Sequence, residues 1–251
     1  MTRLASIFPS SFKPALWEWL SRQMHLNHQL PSGIRIRLSS YSDWCIYNDI
    51  FVAGEYDEAI HLALDKALAK QVFRVVDLGA NVGFFTLRVL DLIARRHMQF
   101  ERVECLLVEA SARLRPFLQH HLDGCQRKDV SSRIVIGLVG LRSGTAQFEL
   151  AGSECMNHIT TGGAPKARVI PYFDLYDALD EASEIGLLKC DIEGAEQMFI
   201  ENYPRILEKS KVAAFEFHAP QCPAEVGIGK VMAAGFAANR LLHDQGHAKT
   251  I

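Results

Sequence analysis

The chain has 251 residues, 49% of them hydrophobic and 22% charged, which is enough apolar material for one globular α/β domain with a sizeable core and a small N-terminal extension. A formal net charge of −2 leaves no basic excess, so nucleic acid is not indicated as a partner. No apolar stretch approaches the length of a membrane span, and Met1 to Ser11 lacks a signal-peptide pattern, so the expected compartment is cytoplasmic.

Pro14 to Leu30 reads as a helix, with Leu16, Trp17, Leu20 and Met24 at helical spacing and Pro31-Ser32-Gly33 ending it. Ile34, Ile36 and Leu38 then alternate with polar residues, as in a half-exposed strand. Tyr41 to Val52 leads to Gly54-Glu55-Tyr56-Asp57, where Asp57 is the expected N-cap of a helix over Glu58 to Lys70. Residues 1–56 are accordingly expected to form an extension or cap, and 57–251 the main domain. The six cysteines, at 45, 105, 125, 155, 190 and 222, hold no zinc-type pair, and reduced thiols are expected.

Val72, Phe73, Val75 and Val76 form a short apolar run of the kind found in a buried parallel strand, closed by Asp77. Gly79 and Gly83 suit a sharp turn or the close approach of a ligand. Phe84 to Arg95 reads as a helix with a broad apolar face. A strand, glycine turn and helix start of this kind is expected to offer free backbone N–H groups, where open α/β sheets bind nucleotides and their relatives. A dinucleotide turn would read G-x-G-x-x-G; here it is Gly79-x-Asn81-x-Gly83 beside Asp77. An acid there disfavours a pyrophosphate and suits an ammonium or sulfonium. The form resembles motif I of class I S-adenosylmethionine (SAM) methyltransferases; the bland alternative is a buried turn with no ligand.

Val103 to Val108 is the second strand, ending in Glu109, which is placed either to accept from both ribose hydroxyls or to cap the next helix together with Ser111. Ala112 to Leu122 reads as a helix with His120 and His121 on its solvated side, and Ile134 to Val139 as a third strand. Thr145 to Leu150 suggests an added hairpin, Gly152 to Gly163 a loop near the substrate mouth, Lys166 to Ile170 a short strand, and Asp174 to Ala182 a short helix.

Leu187 to Glu196 is the second informative stretch. Strand four is expected to end at Asp191, and Gly194 to open a helix running to about Leu207. Asp191 and Glu193 then lie at the strand edge that faces the ligand crevice, where acids are costly unless exposed or paired. Glu196 fits ordinary helix N-terminal chemistry. Val212 to Phe217 is the fifth strand, with Glu216 between two phenylalanines that point to the other face, and His218 ends it at the same edge. A strand-end histidine is equally at home as a hydrogen-bonded core residue. Pro223 to Ala234 reads as a helix and Phe236 to Leu242 as a last strand; His243 and His247 receive no role.

With both stretches in view, the chain resembles the FkbM-type SAM-dependent methyltransferases. The resemblance is carried by Asp77-Leu78-Gly79-Ala80-Asn81-Val82-Gly83-Phe84-Phe85-Thr86, by Leu188-Lys189-Cys190-Asp191-Ile192-Glu193-Gly194-Ala195-Glu196, by Phe215-Glu216-Phe217-His218, and by the lead-in Gly54 to Asp57. It spans roughly Trp44 to Phe236. Cys190 and Ile192 are conservative replacements in the second motif, and Glu109-Ala110-Ser111 stands where the family often carries Glu-Pro, a departure that bears on Ser111 rather than on Glu109.

The resemblance implies an α/β, Rossmann-like class I methyltransferase fold, with a mostly parallel central sheet, helices on both faces and an N-terminal helix-and-strand extension. It implies methyl transfer from SAM to a hydroxyl of a small acceptor, typically a sugar or a polyketide-like natural product. Asp77, Gly79, Asn81, Gly83 and Glu109 are the expected cofactor residues, with Ser111 and Tyr56 as neighbours. A hydroxyl is a poor nucleophile while protonated, so a base or a metal is expected. Asp191 or His218 would take the proton while Glu193 and Glu216 orient the acceptor; the rival arrangement groups Asp191, Glu193 and Glu216 around Mg²⁺. Two other classes compete. A nicotinamide oxidoreductase would need the missing third glycine, and a non-catalytic partner in a biosynthetic complex would not need Asp191, Glu193 and His218 together.

Overall fold

The computed structural model describes residues 26–125, 127–149, 158–160, 167–179, 183–244 and 248–251. The first elements are an antiparallel pair, β1 (Leu26–Gln29) and β2 (Arg35–Leu38), followed by helix α1 (Tyr41–Tyr47), a π-helical stretch (Asn48–Ala53) and α2 (Asp57–Lys66). The main sheet then begins with β3 (Val72–Leu78), α3 (Phe84–Arg95), β4 (Arg102–Glu109), α4 (Arg115–Asp123) and β5 (Val130–Ile136). A small antiparallel sheet of β6 (Thr145–Glu149), β7 (His158–Thr160) and β8 (Ala167–Pro171) is inserted next, in the order β7-β6-β8. The second half runs through β9 (Leu187–Cys190), α5 (Glu196–Asn202), α6 (Pro204–Lys209), β10 (Ala213–His218), α7 (Ala224–Ala233), β11 (His243–Asp244) and β12 (Ala248–Thr250).

The seven-stranded sheet has the order β11-β12-β10-β9-β3-β4-β5. Strands β5, β4, β3, β9 and β10 are mutually parallel, while β12 runs antiparallel to β10 and to β11. The chain starts in the middle at β3, builds outward to β5, then returns to β9 on the other side of β3. That reversal is the switch point of a doubly wound sheet, where a crevice opens at the carboxyl ends of the strands. Alternation along β3 divides the core in two. Val75 joins Leu64, Phe85, Leu87 and Leu118 from α2, α3 and α4 on one face; Val76 joins Phe199, Ile206 and Ala224 from α5, α6 and α7 on the other. Helices therefore cover both faces, as expected.

Several boundaries differ from the sequence expectations. Residues 26–29 of the expected Pro14–Leu30 helix form β1, because Gly33 (φ 91°) closes a turn that folds them onto β2; residues 1–25 lie outside the described residues. Asp57 is not the N-cap of α2. Tyr56 holds that position, and Asp57 lies in the first turn with its carboxylate on Arg88, at 2.7 and 2.5 Å. The helix ends at Lys66, where Ala67 turns extended. His121 is buried rather than solvated: its Nδ1 lies 2.7 Å from Val82 O, and Nε2 accepts the Arg37 N–H at 3.2 Å.

The expected helix to Leu207 is two helices, broken at Tyr203 ahead of Pro204, whose ring removes the amide that would continue it. No strand forms over 236–242; the chain instead pairs β12 with β10 and folds β11 onto it. The Asp174–Ala182 helix reduces to one 3-10 turn, Leu175–Asp177, with 180–182 outside the described residues. Of the Gly152–Gly163 loop, only β7 is described. The five described cysteines are free. Among the described residues no helix is long and apolar enough to cross a membrane.

Candidate active site

The turn after β3 is shaped by left-handed residues: Gly79 (φ 74°), Asn81 (φ 49°) and Gly83 (φ 88°). Gly79 is required by the neighbouring strand end, since a Cβ there would meet Asp191 O at 1.7 Å. At Gly83 a Cβ would press on Leu118 at 3.0 Å. Four amides of the turn itself are engaged within the protein. Gly79 and Ala80 both donate to Val108 O at 3.0 Å, Gly83 donates to Ala80 O, and Asn81 donates to Glu109 Oε2 at 2.8 Å. Glu109 accepts a second amide, from Ser111 at 2.7 Å, so its carboxylate ties two loops together. Burial pushes the Glu109 carboxyl up, against those two hydrogen bonds. Each of its oxygens keeps a further lone pair for a ligand hydroxyl.

Asp77 sits beneath this turn, fully buried. Thr86 Oγ1 donates to it at 2.8 Å, and Lys189 Nζ lies 3.6 Å away. Lys189 rises from β9, donates to Gly79 O at 2.9 Å and pairs with Asp191 at 3.1 Å. Burial works against its charge, but Asp191 and Asp77 outweigh burial, so it stays a cation. The sequence reading passed over Lys189. Its signal was a lone cation inside the buried run Leu187-Leu188-Lys189-Cys190, which needs an acid on each side.

The second cluster is built by the turn after β9 and the end of β10. Glu193 (φ 51°) and Gly194 (φ 96°) bend the chain back at the mouth of the crevice. The bend is held from below by Glu196, fully buried at the start of α5, whose Oε1 accepts from Ile192 at 3.3 Å and Gly194 at 2.9 Å. The same oxygen lies 3.0 Å from His218 Nδ1. Glu196 therefore does more than favour a helix dipole: it fixes the imidazole so that Nε2 faces the carboxylates of Glu193, Glu216 and Asp191 at 3.6, 3.7 and 3.9 Å. Burial lowers the affinity of His218 for a proton, but Glu196 and Asp191 more than reverse this, and its pKa rises to about 9. Burial first, then Asp191, pushes Glu193 up to about 7 and Glu216 up to about 8. Tyr56, buried against Phe85, donates its hydroxyl to Glu216 Oε2 at 3.2 Å.

Two hollows meet at this edge. The larger, about 450 Å³, is lined by Tyr56, Lys189, Glu216 and His218, among others. The smaller, about 70 Å³, is lined by Glu109, Gly137 and Val139. Gly79, Asn81, Asp191 and Glu193 line both. Of the expected site residues, Asp77, Gly83 and Ser111 line neither hollow; Ser111 contributes through its amide. The three acids expected around Mg²⁺ do not converge as a set. Among the described residues, the group whose ligand atoms all lie within 4.8 Å of one another is Asp191, Glu193 and His218. A set that includes an imidazole, and an acid already paired with Lys189, does not fit a hard ion that prefers oxygen ligands.

No protein-family model matches the chain, and no curated protein matches it. Among solved structures it is similar to methyltransferase FkbM from Methylobacillus flagellatus KT, at 16% identity and TM-score 0.43 over 88% of this chain and 53% of that one. It is also similar to M. jannaschii TYW2 in complex with AdoMet, at 11% identity and TM-score 0.42 over 90% and 82% of the two chains. A third is MNMC2 from Aquifex aeolicus, at 11% and 0.42 over 99% and 79%. The chain spans about half the length of the first of these proteins. The strand order is what decides the architecture: a parallel set entered at its centre, reversed at β3 and β9, and closed by an antiparallel strand beside β10. The chain has a doubly wound, Rossmann-like α/β fold. Its switch-point crevice is the junction of the two hollows.

Proposed function

We propose that this chain is a SAM-dependent methyltransferase that methylates a hydroxyl of a small molecule, a sugar or natural-product acceptor. The observation that carries the reading is the wall shared by the two hollows, Gly79, Asn81, Asp191 and Glu193, at the switch point. The smaller side presents Glu109 to ribose hydroxyls, and the shared acids suit a sulfonium. The larger side is then the acceptor chamber. SAM supplies an electrophilic methyl group, leaving the protein to position the acceptor and manage its proton.

Glu216 is the group best placed to take that proton. Its pKa of about 8 lies near a working pH, and the Tyr56 hydroxyl and the His218 imidazolium hold its ionised form in place. His218, a cation up to about pH 9, cannot accept the proton at neutral pH, and offsets the charge that develops on the acids instead. As the O–CH₃ bond forms and the S–CH₃ bond breaks, the hydroxyl proton passes to the Glu216 carboxylate. Asp191 and Glu193 orient the acceptor.

The test is calorimetric titration with S-adenosylhomocysteine and, in parallel, NAD⁺, on the wild type and on Glu216→Gln. Saturable binding of the homocysteine compound alone, unchanged in the variant, supports the reading. Binding of NAD⁺ alone would overturn the cofactor assignment, and binding of neither would favour a non-catalytic partner role.

A further inference from the structure

A third cavity, about 460 Å³, shares no residue with the two hollows. It wraps around the edge of β10. Leu62 and Lys66 of α2 wall it on one face of the sheet, and Val231 and Met232 of α7 on the other. Ile251, which follows β12, closes its crevice end, and the chain from Asn239 to Leu242, ahead of β11, forms its outer wall.

Strand β12 covers only the crevice half of β10. The paired residues run from His218–Ala248 to Glu216–Thr250, and the last rung is the mutual pair Phe215 and Ile251, each amide donating to the other's carbonyl at 2.8 Å. Ala213 lies two residues beyond that rung, in register with Leu188 of β9. Leu188 donates to Val212 O at 3.0 Å, so the pairing to β9 uses the groups on either side of Ala213. The N–H and C=O of Ala213 itself then point to the opposite edge, into the cavity. A strand edge of this kind is a template for a further strand. Its flanks are apolar on both faces: Leu62 is 48% exposed beside it, and Phe217 and Met232 lie opposite. An alkyl chain would fill that space but leave the Ala213 donor and acceptor unpaired, whereas an extended peptide satisfies both requirements.

Charge sets the direction. Helix α2 runs away from the crevice, because Tyr56 at its start reaches Glu216 and Lys66 at its end leads to the start of β3. Lys211, just before β10, lies at the same far end. Of the charged lining residues, Glu58 and Arg240 pair with each other, and Lys211 is shared with Glu184 at 2.8 Å. Lys66 forms no ion pair among the described residues. A strand in line with β12 runs antiparallel to β10 and brings its carboxyl end to these two lysines. We infer that the β10 edge is a docking site for an extended apolar peptide with a free C-terminal carboxylate, added as a strand beyond Ile251. This inference stands apart from the methyltransferase reading.

The experiment is calorimetry on the full chain with the peptide acetyl-Val-Ile-Val-Leu as the probe. Beside it are its C-terminal amide, a form N-methylated at its internal amides, and octanoate, which is apolar and anionic but has no backbone groups. The acid is expected to bind saturably, the amide about tenfold more weakly, and the N-methylated form and octanoate more weakly still. Lys66→Gln should remove most of the preference for acid over amide. Ala213→Pro deletes the N–H that faces the cavity, at an edge position where proline is tolerated, and should abolish binding. The N-methylated probe asks the same question of the unaltered protein. No saturable binding of the acid, an amide or octanoate that binds as tightly, or tolerance of N-methylation would each overturn the inference. A dimer in sedimentation that forms without the peptide and persists on adding it would give this edge to a second copy, and would overturn it too.

Discussion

Strands β3 and β9 lie side by side, and each delivers an aspartate to the same edge of the sheet with opposite results. Asp77 is the sixth residue of β3 and is sealed, held by Thr86 and facing Lys189. Asp191 follows the last residue of β9, with its side chain 25% exposed to the chamber. One lysine, Lys189, stands between them, 3.6 Å from the first and 3.1 Å from the second. The sealed group is a joint: it fixes the turn at Gly79 against the end of β9. The open group lines the chamber and is free to meet a ligand. Depth beneath the strand ends, rather than residue type, separates the sealed acid from the accessible one at this edge.

The sharpest way to break the comparison is to remove the shared cation. Lys189→Met leaves Asp77 buried with only a hydroxyl for company, and breaking a buried pair on one side costs about 3–5 kcal/mol. Urea unfolding should show that loss as a lower midpoint with an unchanged slope. Asp191→Asn, which faces the chamber, should cost far less. Equal effects from the two substitutions would mean that Asp77 and Asp191 are one cluster, and the division between joint and reactive group would fall.

Much of this edge was legible in the residues. The strand and helix around Asp77 and Phe84 were readable because a buried parallel strand is continuously apolar and α3 is amphipathic over its full length. Asp191, Glu193, Glu216 and His218 were picked out because charged groups at strand ends stand out against apolar runs, and the structure brings all four to one hollow. Three things were not legible, for physical reasons. The N–H groups of Gly79, Ala80 and Asn81 are taken by Val108 and Glu109 from the next strand, a pairing that depends on β3–β4 register. Glu196 looked like helix-start chemistry because its partner His218 is 22 residues away. The Leu26–Gln29 strand has no pattern of its own and is set by pairing with β2 across Gly33.

The open cluster makes a pH prediction of intermediate size. Glu216 must be ionised to take a proton, so kcat/KM should climb about tenfold per pH unit until about pH 8 and level there. His218 must be charged, so the rate should fall again above about pH 9. The groups acting on Glu216 are Asp191 and Glu55, which raise its pKa, and His218 and Lys189, which lower it. His218→Gln should therefore remove the alkaline fall and move the acid limb to higher pH, both in one profile. A His218→Gln profile that keeps its alkaline limb would take the imidazole out of the reaction.

The smallest effect separates side chain from backbone at Glu109. Ser111 was expected as a cofactor neighbour, yet what the structure uses is its amide, donated to Glu109 Oε1 at 2.7 Å. Ser111→Ala keeps that donor, so stability should stay within about 0.5 kcal/mol and S-adenosylhomocysteine affinity within about twofold of wild type. Glu109→Ala removes the acceptor for both the Ser111 and the Asn81 amides, at about 1–3 kcal/mol, and should weaken the homocysteine compound as well. Running the two variants side by side, by thermal unfolding with and without that ligand, assigns the loop to the carboxylate or to the hydroxyl. A large loss in Ser111→Ala would return the hydroxyl to the site, and would show that the Ala110-Ser111 departure from the Glu-Pro pattern carries binding rather than merely tolerating it.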